Sequence, residues 1–340
     1  MKFAHIAGQQ SATLQTAAKP SPGQGEALLQ ISRCGICGSD LHAWEGKWDE
    51  SYRPGHEFCG EVQEIGPGVS GLEPGMRVTG ESFGHCGDCA RCRQGRYNLC
   101  ENICWNPSRP GGALAQYACY RAEALHPVPA SLSGTQAALT EPLAVALHAL
   151  DRAGLRAGQT VAVIGSGTIG LLCAAVASAR DAHRVFSVAK YKHQAELARD
   201  MGATDVILTG EADPREAIPE ALETTGVDIG VDSVAAGTSL SVALALIRPG
   251  GTMVEVGGIT RPLMAALQPM VSGELNVVGA SCYAATGEQP DMARAVELIE
   301  QGIINPRQLI THTYPLDQVQ SAFETAADKS TGSVKVMVEM

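Results

Sequence analysis

The chain has 340 residues, more than a single hydrophobic core usually serves, so two domains are expected. A formal net charge of −11 excludes nucleic acid and anionic membrane as main partners, because binding phosphate needs a cationic surface. An apolar content of 45% with 38 glycines suits an α/β protein with many tight turns and a small-molecule partner, and excludes a disordered or fibrous chain.

Residues 1–10 show no apolar core or cleavage site of the secretory kind. Eleven cysteines without such a segment point to metal binding and reduced thiols, hence a cytoplasmic setting. Residues 26–32, 60–66 and 75–80 read as short strands between Gly/Pro turns, an all-β pattern whose loops carry the chemistry. Residues 34–42 are Cys-Gly-Ile-Cys-Gly-Ser-Asp-Leu-His, and Gly55, His56 and Glu57 follow. A zinc ion open to substrate takes about three ligands from Cys, His and Asp/Glu and keeps one position free. Cys37 offers a thiolate, His56 an imidazole and Glu57 a carboxylate, while Ser39, Asp40 and His42 are small polar groups able to relay a proton or to cap the following turn.

Cys86, Cys89, Cys92 and Cys100 have the spacing of a closed, all-thiolate structural zinc site. Arg91, Arg93 and Arg96 are too few, in so acidic a chain, for a nucleic-acid-binding ribbon. Cys34, Cys59, Cys104, Cys119, Cys173 and Cys282 are expected to be small buried hydrophobes. Trp44, Trp48 and Trp105 flank the motifs and fit either the lining of a pocket for sugar-like rings or ordinary packing. Arg109 fits either a contact to a carboxylate or phosphate or a solvated charge.

Within 138–150 an apolar helix is expected to begin just after Glu141 and Pro142. A carboxylate there is costly unless paired or bound to metal, so Glu141 is a candidate third ligand or neighbour of the zinc; a helix N-terminal charge is the other reading. His148 reads as a core histidine. The charge-free run 160–179 is long enough on paper to cross a bilayer, but its glycines divide it into a strand, a turn and a helix. That is the dinucleotide fingerprint, with Gly165, Gly167, Thr168, Ile169 and Gly170 at the pyrophosphate. Strand-like runs at 185–188, 205–208, 227–232, 251–256 and 275–279, with helices at 194–201 and 239–247, complete a doubly wound parallel sheet; Val256 and Gly257 join the cofactor positions. Where an NAD site usually shows an acid, this chain has Ala189, Lys190, Tyr191 and Lys192, which favours NADP over NAD. After 284 a helix at 291–301 and a strand-like 333–338 follow. The expected division is 1–149 with 285–340 for the zinc-binding domain, its structural zinc lobe at 84–104, and 150–284 for the nucleotide domain.

In this order the motifs resemble the zinc-containing medium-chain alcohol dehydrogenases over nearly the whole chain. Glu141-Pro142, where other branches carry cysteine, resembles the sorbitol, polyol and cyclitol dehydrogenases. The resemblance implies an α/β protein with a GroES-like β-rich catalytic domain and a doubly wound Rossmann domain. It implies two zinc ions, the catalytic one near Cys37, His56 and Glu57 or Glu141, and a homodimer or homotetramer. It also implies hydride transfer between a secondary alcohol of a polyol, sugar alcohol or cyclitol and NAD(P), giving the ketone. Another small alcohol or amino alcohol is the alternative substrate, and a non-catalytic zinc- and nucleotide-binding protein the alternative class. Under this resemblance Ser39 accepts the alcohol proton, His42 passes it to solvent, and Asp40 orients His56 through its second ring nitrogen. The chemistry can be weighed independently. Zinc lowers the pKa of bound water from about 16 to about 7, which is worth ~12 kcal/mol, against ~3–5.5 kcal/mol for general-base catalysis, so the metal is the larger contribution.

Overall fold

The structure, a computed structural model, describes residues 1–47, 52–105, 108–109, 112–287 and 289–340, with the side chains at 108 and 286 set aside. Two compact units emerge, Met1–Glu141 with Gly287–Met340, and Pro142–Thr286.

The first unit opens with a hairpin, Lys2–Gly8 against Ser11–Thr16. Its two-residue turn is Gln9-Gln10, both at positive φ (51° and 61°), the mirror-image geometry that matches strand twist but is usually supplied by Asn-Gly. The main sheet runs in the order Leu125–Pro127, Arg77–Gly80, Glu57–Ile65, Glu26–Gly35, Lys335–Glu339, Ile310–Pro315. Leu29, Ile31, Phe58, Val62, Leu114, Tyr120, Phe323 and Val338 form its core. The C-terminal strand thus pairs with Glu26–Gly35 near the start of the chain.

The second unit is a six-stranded parallel sheet, ordered Asp205–Leu208, Arg184–Ala189, Thr160–Ile164, Val227–Asp232, Ile247–Glu255, Asn276–Gly279. Strands Thr160–Ile164 and Arg184–Ala189 are buried on both faces, which is why their sequences are mostly apolar. Helix Thr168–Ala179 is buried continuously from Gly170 to Ala177, which explains the charge-free run. Among the described residues no helix is long and apolar enough to cross a membrane. At Gly170 any Cβ would lie 1.8 Å from the Gly165 carbonyl oxygen, so only glycine lets the helix approach its strand.

Three elements differ from the sequence reading. Residues 38–44 form a helix, Gly38–Trp44, where a loop was expected. The apolar helix is Thr140–Ala153, so Glu141 and Pro142 lie inside its first turn instead of preceding it. The strand Ile247–Glu255 begins before the Pro249-Gly-Gly turn signal, with an irregular pairing that absorbs it.

Glu57 begins its strand directly opposite Gly35, and Gly35 is opposite Met337 on the other side. The Glu57 carboxylate crosses this glycine to Lys335, whose Nζ donates to Oε1 (2.7 Å), Oε2 (2.6 Å) and the Ile36 carbonyl (3.0 Å). A Cβ at position 35 would sit 2.3 Å from Glu57 Oε2. Both charges are almost fully buried, at 2% and 3% side-chain exposure. Removing one partner strands the other in a low-dielectric interior, so Lys335→Met is expected to cost about 3–5 kcal/mol in chemical denaturation, and Glu57→Gln added to it to restore most of the loss. Equal losses in the single and double variants would contradict the pairing.

Candidate active site

Helix Gly38–Trp44 starts immediately after Cys37, and the strand Glu57–Ile65 immediately after His56. Two element ends therefore bring together Cys37, His56 and Glu57, one donor atom of each lying within 4.8 Å of the others. Burial alone would push His56 down, but the Cys37 sulfur beside it, with Glu141 and Asp40, outweighs burial and holds a proton well above the usual histidine range. An environment that retains a proton on a buried imidazole is one that attracts a cation, and a thiol, an imidazole and a carboxylate are the donors of an open zinc site. The chain thus fits the metal. Glu141, 4% exposed, lies outside the 4.8 Å group, yet its charge acts on His56 and on Lys335. Lys335 was not singled out from the sequence; its signal was a lysine inside the apolar run 333–338.

Asp40 departs from expectation. Its carboxylate accepts the Cys37 N–H (2.8 Å), the Gly55 N–H (2.9 Å) and the Tyr52 hydroxyl (2.9 Å), and it reaches His56 through charge and not through a ring-nitrogen hydrogen bond. The reason is local: Asp40 is the third residue of the helix and reaches back to the N–H before it, so it fixes the two segments that carry Cys37 and His56. Tyr52, unforeseen in the sequence, connects this group to Ser39. The Ser39 and Tyr52 oxygens are 3.1 Å apart, and because Tyr52 gives its proton to Asp40, Ser39 donates to Tyr52. Burial, then the Asp40 charge, raise Tyr52 well above the ordinary phenol range. His42 is half-buried with Nδ1 3.9 Å from Glu45, and burial and Lys47 lower its pKa.

The four cysteines of the lobe converge, with sulfur separations of 3.4 Å (Cys86–Cys100), 3.5 Å (Cys89–Cys92) and 3.9 Å (Cys86–Cys92). Backbone N–H groups of Cys86 and Asn102 point at Cys100 Sγ (3.3 Å each), and those reaching Cys89 bring its thiol down to about 6. Amides aimed at sulfur stabilise thiolates, the form that binds zinc. The lobe is anchored by Tyr97, whose hydroxyl donates to buried Glu81 (3.1 Å), itself 2.8 Å from His126.

In the second unit Gly167 caps helix Thr168–Ala179, and Ser233 Oγ donates to the Ile164 and Gly165 carbonyls beneath the glycine turn. Ala189 ends its strand; Lys190 and Lys192 are exposed, and among the described residues no carboxylate pairs with either. Lys190 lies over the Tyr191 ring, which stacks on His193 at 5.6 Å.

For Trp44 and Arg109 the structure decides between readings the sequence left open, and two cysteines differ from expectation. Trp44 is 4% exposed against Phe323, a core residue and not a pocket wall; Trp105 is 59% exposed, its ring edge-on to Phe83; Trp48 lies outside the described residues. Arg109 pairs with Glu26. Cys104 is exposed and Cys282 half-buried, Cys104 because both residues of its two-residue strand face outward, whereas Cys34, Cys59, Cys119 and Cys173 are buried.

Residues 23–130 match the alcohol dehydrogenase GroES-like domain and residues 168–301 the zinc-binding dehydrogenase domain. The sorbitol dehydrogenase of Bacillus subtilis (strain 168) is 33% identical, covering 99% of this chain and 97% of its own length. The D-arabitol-phosphate dehydrogenase of Enterococcus avium is 31% identical, covering 94% and 91%. Among solved structures, a zinc-binding dehydrogenase from Sinorhizobium meliloti 1021 bound to NADP superimposes with a TM-score of 0.90 at 31% identity, covering 100% of this chain and 99% of that one. On motif order, fold and these matches together, the chain belongs to the zinc-binding alcohol dehydrogenase family, among its medium-chain polyol dehydrogenases.

Proposed function

We propose that this protein oxidises a secondary alcohol of a polyol, sugar alcohol or cyclitol to the ketone, with NADP as the favoured hydride acceptor and two zinc ions per chain. The observation that carries the reading is the convergence of Cys37, His56 and Glu57 in a cation-attracting environment in a chain that also has the strand, glycine turn and helix for a dinucleotide. Relatives named for sorbitol and D-arabitol phosphate support a polyol substrate.

Zinc, when bound, supplies the Lewis acidity that makes a neutral alcohol acidic enough to give up its proton. Cys37 and His56 hold it, with Glu57 or Glu141 as the carboxylate of the set. Lys335 balances the charge of Glu57, and Asp40 keeps the Cys37 and Gly55 segments in place. Ser39, held by Tyr52, would take the alcohol proton as it releases its own to His42, whose lowered pKa leaves it neutral near pH 7 and which would then pass the proton to solvent. Lys190 and Lys192 meet the 2′-phosphate from beside Ala189, while Gly165, Gly167, Thr168, Ile169, Gly170, Val256 and Gly257 form the backbone bed of the dinucleotide. The Cys86, Cys89, Cys92 and Cys100 site is structural. The reading includes a homodimer or homotetramer and a cytoplasmic setting, the latter supported by eleven cysteines outside any disulfide.

The two metal roles predict opposite phenotypes. Cys37→Ser is expected to lower kcat/KM by more than about a thousandfold with the melting temperature within a few degrees of the parent. Cys89→Ser is expected to lower melting first and to lose about one zinc per chain by elemental analysis. Equal melting of both would contradict the assignment. For the cofactor, replacing Lys190 and Lys192 together by Ala is expected to raise KM for NADP at least about tenfold and to leave KM for NAD unchanged; a parallel change in both would remove the lysines from the 2′-phosphate site.

A further inference from the structure

Asp232 and Glu255 are register partners at the last positions of adjacent parallel strands, so their side chains leave the sheet on the same face, as direct neighbours, at its carboxyl edge. Open α/β sheets bind their ligands at that edge, beside the turn where strand order reverses. The place is tied to the glycine turn: Ser233 N donates to Ile164 O (3.1 Å), and Val256 N and Gly257 N to Asp232 O (3.0 and 3.2 Å).

The two carboxyls are treated unequally. Asp232 receives three donors: Val234 N (2.9 Å) and Ala235 N (3.2 Å) on one oxygen, and Ser239 Oγ (2.7 Å) on the other. Glu255 receives one, the Gly257 N–H on Oε1 (3.0 Å), while its Oε2 is buried without a partner. A buried orphan carboxylate oxygen beside a second carboxylate is costly, and a proton on it removes both costs. Burial, then the Asp232 charge, accordingly push the Glu255 carboxyl up to about 7. No cation offsets this among the described residues: the register partner of Glu255 on the other side is Gly279, Arg152 donates to the Gly279 carbonyl, and Ser239 and the 233–235 segment bring no charge.

We propose that the Glu255 carboxyl carries a proton beside the Asp232 carboxylate, and that in this neutral form it is the positioning residue that holds the Val256–Gly257 turn ready for the nicotinamide half of the dinucleotide; when the proton leaves, two neighbouring carboxylates repel, Glu255 is driven from the turn and cofactor affinity falls. The proposal rests on the dinucleotide occupying this edge of the sheet. Lys190 follows the strand on one side of Thr160–Ile164, where the adenosine half would lie, and Glu255 ends a strand on the other side. Nothing in the hydride-transfer chemistry itself passes through Glu255. By linkage, affinity is fully present below the titration of the free protein and is lost as pH rises through it.

The test is the dissociation constant of NADH, which lacks the titrating 2′-phosphate, by fluorescence titration of the zinc-loaded protein across pH. The parent is expected to lose about twentyfold in affinity from about pH 6.5 to about pH 8.5, given the titration near 7. Glu255→Gln, which keeps the shape and the acceptor for Gly257, is expected to hold the low-pH affinity throughout. Asp232→Asn, which removes the repelling charge, is expected to move the fall to lower pH. A parent whose affinity does not change with pH, or a Glu255→Gln variant that follows the parent's profile, would overturn the proposal. A parent that binds neither NADH nor NADPH at any pH would remove the dinucleotide reading itself, and this inference with it.

Discussion

The buried pair of Glu57 and Lys335 is the constraint on which the first unit depends. It spans three strands, crosses the one residue without a side chain in its way, and joins a segment near the start of the chain to the last strand. Two charges withdrawn from water add little net stability; what they impose is a unique arrangement, because either one alone is penalised heavily. The strand that carries Glu57 begins next to His56, so the register that satisfies the pair also sets where the imidazole stands. Lys335 further removes one negative charge from a site already holding Cys37, Asp40 and Glu141, and so limits how strongly the site attracts a cation.

A second carboxylate, Asp40, does for the loop what Lys335 does for the sheet. Its three hydrogen bonds join the start of helix Gly38–Trp44 to Gly55 and to Tyr52, so that the segments carrying the thiol and the imidazole keep their separation whether or not a ligand is present. The second unit repeats the device: Asp232 organises residues 234–239 below the crevice with three donors. In both units a fully buried aspartate at the edge of a regular element positions irregular backbone, where reactive and binding groups belong.

Much of this was legible in the sequence because the chemistry demands fixed residue types at short spacing. Cys37, His56 and Glu57, the four cysteines of the lobe and the glycine turn are each local patterns, and the strands 205–208 and 227–232 are bounded as their apolar runs suggested. What stayed hidden depends on distance along the chain or on tertiary surroundings. The contact from Lys335 to Glu57 spans 278 positions, and Tyr52 reaches Ser39 and Asp40 only once the loop has folded back. Trp44 looked like a loop aromatic because the helix that buries it was read as a loop, although the spacing of Cys37 and Asp40 is that of a helix start. Cys104 lies in a two-residue strand whose residues are both exposed, which composition cannot reveal.

Initial rates of nicotinamide reduction by the zinc-loaded protein, with NADP and NAD side by side over polyols, cyclitols, sugars and simple alcohols, test the central claim most directly. The expected rate depends on a polyol or cyclitol, is faster with NADP, and disappears with Cys37→Ser. Silence across the whole panel from protein with full zinc content would contradict it.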